Sequence, residues 1–410
     1  MVMVSVYEQT QAALRVIKAR EPEVRAWIHL DEESALEAAR AIDRRAAGGE
    51  LYGVILAAKD IFETADMPTA FGSPIYKDYR PVKDAAVVAK LREKGALILG
   101  KTYSTEFAAA FPTPTRNPHN LDHTPGGSSS GSAAAVASGM VRVALGTQTL
   151  GSIIRPASYC GIVGFKPTYG RVSRSGVLNL SETLDTIGFL GATLDDVAQV
   201  FYSLVDETAP AGIPHERKPR FAFCKGPGWD DANADVQSRI GRYVDSLREE
   251  GACIETLDLR STLSEVLRAV QSVHDAEAYR NFTWERTQHF DLLSAAFQKI
   301  LSRGEAVTRE AYERALIVGE VGRVHMQKVF ENFDGLITLS ATQEAPRGLA
   351  STGSPSMNAA WTFLRGPCVS LPKLKSANGL SVGIQLIGKP FDDSHLLGCA
   401  RWLDARCPET

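Results

Sequence analysis

The chain has 410 residues, 23% charged and 44% apolar, with a net charge of −3, the composition of an ordinary globular protein. No basic run offers a nucleic-acid surface, and no apolar stretch reaches the roughly 20 residues that span a bilayer.

Residues 1–20 read as a helix carrying Glu8 among polar positions, unlike the charged-then-apolar pattern of an export leader. Val54-Ile55-Leu56-Ala57 is a short apolar run with strand character. Residues 85–94 have helical spacing, are closed by Gly95 and lead into Ala96-Leu97-Ile98-Leu99; residues 236–250, Gly251 and Ala252-Cys253-Ile254 repeat the phrase. Helix, glycine cap and buried strand in succession predict an α/β protein. Further strands are expected at 141–145, 221–224, 336–339 and 382–387. Thr193-Leu194-Asp195-Asp196 reads as a capping box for a helix through Leu204. Residues 206–220, with three prolines and a glycine, read as a linker, and 262–333 as mostly helical. The expected architecture is a large mixed β-sheet covered by helices on both faces, in one domain spanning 1–410.

The six cysteines, Cys160, Cys224, Cys253, Cys368, Cys399 and Cys407, form no C-x-x-C pair and stand at no zinc spacing from a histidine. They are expected as free thiols packed like small apolar groups, and the cytoplasm as the location. His119 and His123 are four apart, but Asn117, Pro118, Asn120 and Pro125 make that stretch a loop rather than a helical metal site.

Gly126-Gly127-Ser128-Ser129-Ser130-Gly131-Ser132, followed by the small residues 133–137, is the densest chemical signal. Its glycines suit the close approach of an anion or oxyanion to the backbone at a helix start, and its hydroxyls include possible nucleophiles. A phosphate-binding P-loop would need Lys and Ser or Thr where Ser132 and Ala133 stand. The G-x-S-x-G elbow of α/β-hydrolases would need a strand running into it, but residues 112–125 hold four prolines, and nothing recommends His395 as its base. A third reading is a serine hydrolase with a lysine base. Neutral lysine at pH 7 needs a pKa drop of about 3 units, roughly 4 kcal/mol, which burial among apolar groups supplies. Lys59, at the end of the run 54–58, fits; the competing reading pairs it with Asp60 or another carboxylate in an ion pair at the sheet edge. Ser370-Leu371-Pro372-Lys373 matches S-x-x-K, but Pro372 opposes the helix that pattern requires.

Several motifs in order resemble the amidase signature hydrolases: Lys59-Asp60; Gly100-Lys101-Thr102 with Glu106-Phe107; Pro125 through Ala133; Gly151-Ser152; Pro156-Ala157; Cys160-Gly161-Ile162-Val163-Gly164-Phe165-Lys166-Pro167-Thr168; and Gly383-Ile384-Gln385-Leu386-Ile387-Gly388. The match covers about 51–198 and 336–400 and leaves 206–333 as a variable, mostly helical insert where substrate-shaping differences are expected. The resemblance implies the family fold, no metal or cofactor, and a catalytic group of Lys59, Ser128 (after a cis peptide bond) and the nucleophile Ser152. It places the oxyanion among backbone N–H groups of Thr149, Leu150, Gly151 and Ser152, with Ser129 also at the site.

The family pattern sets an arginine two residues after the nucleophile. Here Ile154 holds that position and Arg155 follows, the arrangement of malonamidase-like members, in which it grips a substrate carboxylate. The expected activity is therefore cleavage of the C–N bond of a small amide bearing an acid group, with release of ammonia, by a homodimer. A structural ion pair is the alternative role for Arg155. Alternative functions are the glutaminase-type A subunit of an amidotransferase and a catalytically impaired member. The last arises because Leu150 replaces a usual glycine and would be strained at positive φ; Gln148 likewise replaces a usual aspartate.

Overall fold

The computed structural model describes residues 4–45, 49–109, 111–208 and 218–406; Cys407 and most of the expected linker lie outside them. The strands are β1 (Trp27–His29), β2 (Ile55–Lys59), β3 (Leu97–Thr102), β4 (Val143–Gln148), β5 (Val163–Lys166), β6 (Thr186–Gly191), β7 (Arg220–Lys225), β8 (Cys253–Asp258), β9 (Gly335–Leu339), β10 (Cys368–Lys375) and β11 (Ser381–Ile387). They form one sheet in the order β1-β3-β2-β4-β6-β5-β10-β11-β9-β7-β8. β2 runs parallel to β3 and β4, and β7 parallel to β8 and β9, while the remaining neighbours are antiparallel.

The helices are α1 (Val6–Val24), α2 (Glu32–Arg44), α3 (Ala86–Glu93), α4 (Ser130–Ala137), α5 (Ile154–Cys160), α6 (Leu194–Val205), α7 (Ala234–Glu249), α8 (Ser264–Asn281), α9 (Thr283–Gln288), α10 (Ala295–Glu305), α11 (Arg309–Phe330), α12 (Ala359–Phe363) and α13 (Asp393–Asp404). Strand alternation sorts the sheet's side chains into two layers. Leu56, Ala58, Val143, Leu145, Phe221 and Phe223 enter one core with Leu91 of α3, Phe201 of α6, Ile240 of α7 and Leu397 of α13. Ala57 and Ala144 face the other side, against α1, α2 and α4. Ala222 and Cys224 do so against Val270 of α8, Met326 of α11 and Trp361 of α12. Helices thus cover both faces. Each large apolar side chain removed from water contributes about 1.5–3 kcal/mol.

Gly95 and Gly251 close α3 and α7 at positive φ, as the sequence predicts, and Thr193 caps α6 with the capping box formed. Four strands escape a propensity reading. β1 is three residues long, β5 four, and β6 carries two glycines. β10 contains Pro372, tolerated where the pairing with β11 shifts register between Leu371 and Leu374. Ser370 and Lys373 therefore lie on a strand, and Lys373 pairs with Asp404. The region 206–333 is more than a helical insert, because β7 and β8 complete one end of the central sheet. Of the described cysteines, Cys160, Cys224, Cys368 and Cys399 are buried, whereas Cys253 is exposed.

Candidate active site

β2 ends at Lys59, and its parallel pairing with β4 brings that end beside Thr147. Lys59 is fully buried. Its Nζ donates to Ser128 Oγ at 2.7 Å and to Thr147 Oγ1 at 3.0 Å. The carboxylate next to it in sequence goes elsewhere: Asp60 Oδ1 lies 3.0 Å from Lys101 Nζ, and Asp60 Oδ2 accepts from the Ala70 N–H. Successive side chains leaving a strand point to opposite sides. The ion pair at this edge is therefore Asp60 with Lys101, and Lys59 is left with two neutral hydroxyls. Burial pushes its pKa down to about 7, with Asp185 the one charge acting against the fall. Asp185 is itself raised by burial, and it accepts from Thr149 Oγ1 at 2.6 Å and the Leu180 N–H at 2.7 Å.

Ser128 reaches Lys59 because α4 begins tight against the sheet. Ala133, Ala134 and Ala135 are fully buried. A Cβ on Gly131 would stand 2.3 Å from the Ala26 carbonyl oxygen, so only glycine fits there. The Gly127–Ser128 peptide is cis. The other hydroxyls of the loop hold it in place. Ser129 Oγ donates to Thr147 O, Ser130 Oγ to Gly126 O and Ser132 Oγ to Leu145 O. Ser129 thus turns toward β4 and is not among the residues lining the neighbouring cavity.

After β4 the chain makes a tight turn over 149–153 into α5. Gln148 builds it. Its Oε1 accepts the Ile153 and Ile154 N–H groups at 2.9 and 3.0 Å, and its Nε2 donates to Thr362 Oγ1, which donates to Leu150 O. Gly151 packs where a Cβ would come within 2.6 Å of Asn358 Oδ1. Leu150 is not among the residues at positive φ, so the strain expected of a leucine there does not arise. The N–H groups of Leu150, Gly151 and Ser152 donate to no protein acceptor among the described residues.

A cavity of about 310 Å³ opens on this turn and is lined by Thr149, Leu150, Ser152 and Arg155 on that side. Arg155 is 5% exposed. Its Nη2 donates to Gly127 O at 2.7 Å and weakly to Thr352 Oγ1, while Nε and Nη1 are buried without a partner among the described residues. No carboxylate among the described residues pairs with it, which speaks against the structural ion pair as its role. Burial pulls its pKa below the ordinary guanidinium value, with Tyr159 opposing. A buried cation with open donors is unfavourable unless an anion completes it. Thr147 and Thr362 are participants that the sequence motifs do not single out, and Gln148, noted there only as a departure from a usual aspartate, proves to be the residue that builds the turn.

His395, which nothing in the sequence recommends as a triad base, sits on α13 with its Nε2 2.9 Å from Asp334 Oδ1. His119 and His123 hydrogen-bond to the carbonyls of Cys160 and Ala345.

The protein-family model described as Amidase matches residues 8–397. The chain belongs to the amidase family. It is an amide-cleaving hydrolase with the family's mixed-sheet fold. The match runs through 206–333, which the motifs alone leave unassigned. Curated relatives include the A subunit of the glutamyl-tRNA(Gln) amidotransferase of Symbiobacterium thermophilum, 36% identical over 97% of this chain and 92% of the relative. The protein of the same name from Geobacter metallireducens is 34% identical over 96% and 92%. Among solved structures, a crystal structure of an amidase superposes with a TM-score of 0.89 at 30% identity, covering 98% of this chain and 96% of that one. No helix among the described residues is long and apolar enough to cross a membrane.

Proposed function

We propose that this amidase cleaves the primary carboxamide of a small substrate that carries a carboxylate, and releases ammonia. The observation that carries the reading is Arg155, which lines one cavity with Ser152 and has two buried donor nitrogens without a partner among the described residues. At a pKa of about 7, roughly half of Lys59 is neutral at neutral pH. The neutral amine takes the proton of Ser128 Oγ as Ser128 takes that of Ser152. Ser152 Oγ bonds to the amide carbon, and the oxyanion is met by the open N–H groups of the 149–152 turn, an arrangement worth about 3 kcal/mol or more of barrier. The protons return through Ser128 to the nitrogen, the C–N bond breaks and ammonia leaves. Water then releases the acid from Ser152 by the same relay.

Two readings share this chemistry, since glutamine is itself a carboxamide with a carboxylate. The curated relatives, amidotransferase A subunits matched over nearly their whole length, favour a chain that hands ammonia to a partner protein. The position of Arg155 favours a free-standing enzyme for short dicarboxylic monoamides. Ammonia release by the isolated chain from glutamine, from malonamate-like monoamides and from neutral amides separates them. Turnover of monoamides without a partner supports the free-standing enzyme; glutaminase activity appearing only with a co-purified partner supports the amidotransferase component. A folded chain that fails to label at Ser152 with a fluorophosphonate sinks both.

A cytoplasmic homodimer belongs to the same proposal. Ile317, Val321 and Val324 are each more than half exposed and form a stripe on α11. Antiparallel packing of two such helices about an axis near Glu320 and Val321 sets Ile317 against Val324 and Glu313 against Lys328 of the second copy, a complementary pattern. Light scattering on Val321→Glu tests it: an unchanged dimer mass, or a monomeric parent chain, refutes that surface.

A further inference from the structure

The cavity has a second wall, built from α8 and α10, the region where no sequence motif points to chemistry. Gln271 and His274 come from α8, and Lys299 and Arg303 from α10. His274 is 4% exposed. Its Nδ1 lies 2.8 Å from Asp275 Oδ1, while its Nε2 meets no partner among the described residues. Asp275 is fully engaged behind it, accepting from Arg303 Nε at 2.6 Å and Nη2 at 3.0 Å and from Gln271 Nε2 at 2.8 Å. Arg303 is therefore compensated. Lys299 is exposed and forms no ion pair among the described residues.

No Asp or Glu among the described residues lines this cavity. Arg155, buried, and Lys299, exposed, both line it without a counter-ion among the described residues, and the rest of the lining includes apolar Ala108, Ala109, Ile300 and Pro355. Two cations without counter-ions in the lining of one small cavity suit a substrate with two acids better than a monoacid. The volume sits at the lower limit of ligand sites, so the substrate is small.

We infer that the substrate carries a second carboxylate, distinct from the one held by Arg155, and that Lys299 binds it together with the His274 ring in its imidazolium form, Nδ1 donating to Asp275 and Nε2 to the ligand. Asp275, anchored by Arg303, holds the imidazole so that Nε2 faces the ligand. His274 and Lys299 are then specificity-determining residues, and Asp275 and Arg303 positioning residues. This inference rests on the carboxylate-bearing amide proposed above and narrows it to monoamides of tricarboxylate skeletons, which retain two free acids.

The test compares two primary carboxamides, succinamate with one free carboxylate and the terminal monoamide of tricarballylate with two. The wild-type chain is expected to favour the second in kcat/KM. Lys299→Gln should lower the ratio of the two kcat/KM values about tenfold, mainly through KM of the diacid. His274→Gln should lower the same ratio, while Lys389→Gln, an exposed position outside the cavity lining, keeps it. Tricarballylate should also compete more tightly than succinate, and Lys299→Gln should erase that advantage, a readout independent of turnover. A wild type that does not prefer the diacid, or a ratio unmoved by Lys299→Gln, overturns the inference while leaving the amidase reading intact. Absence of turnover for both amides together with no fluorophosphonate labelling of Ser152 overturns the reading beneath it.

Discussion

Replacing Lys59 by methionine removes the charge and keeps most of the volume. In the folded chain the amine has a pKa of about 7, against 10.5 for an ordinary lysine, because of burial. Between those values the unfolded chain holds a proton that the folded chain does not. Folding stability attributable to Lys59 therefore rises with pH by about 1.4 kcal/mol per unit, and below about 7 the full penalty applies. The methionine side chain has no such pH dependence. Relative to the parent, Lys59→Met should be stabilised by a few kcal/mol at pH 6, and that advantage should shrink by roughly 2–3 kcal/mol between pH 7 and 9. Urea unfolding followed by circular dichroism across this range measures it. The same substitution removes the base, so amide turnover should fall by about a hundred- to ten-thousand-fold. The parent's kcat/KM should drop below pH of about 7, tenfold per unit. A stability difference that stays flat from pH 6 to 9 would refute a neutral amine at this position, and with it the relay.

Arg155→Ala should cut kcat/KM for carboxylated amides by about 10- to 100-fold and leave neutral amides little changed; equal losses would remove the carboxylate grip. Gln148→Leu strands two buried N–H groups at the start of α5 and releases Thr362, so thermal unfolding should report a loss of about 3 kcal/mol, and fluorophosphonate labelling of Ser152 should slow. Leu150→Gly should widen the cavity and raise kcat/KM for branched acyl groups relative to short ones, read from ammonia release; an unchanged ratio would mean that Leu150 does not limit the acyl site.

The lysine and the serine loop are legible because each is a compact local pattern: a charge ending an apolar run, glycines and hydroxyls packed in seven positions. The Gly151-Ser152 turn is picked out only by its resemblance to the amidase signature motifs. The partner of Asp60 is not legible. Asp60 and Lys59 adjoin in sequence, and only strand geometry sends the carboxylate toward Lys101. The work of Gln148 is hidden for a related reason. Its bonds reach five and six residues ahead and across to Thr362, so they exist only once the turn has formed. The α8–α10 wall cannot be read at all, because its polar residues lie on separate helices with ordinary amphipathic spacing. At the level of fold, alternation and glycine caps expose the long strands, while β6 and β10 carry glycines or proline that propensity counts against them.

The order of strands bears on how the molecule comes off the ribosome. β5 takes β10 as its neighbour, although some 200 residues separate them in the chain. Lys59, Ser128 and Ser152 are all translated before β5, yet the α8–α10 wall and the 352–355 loop arrive much later. A nascent chain halted after α6 would expose Val163, Gly164 and Phe165 as a naked apolar edge, a ready template for aggregation. The alcohols of the proposed relay would have no enclosing chamber, so under that relay substrate capture would wait until the C-terminal third has emerged and zipped the sheet shut.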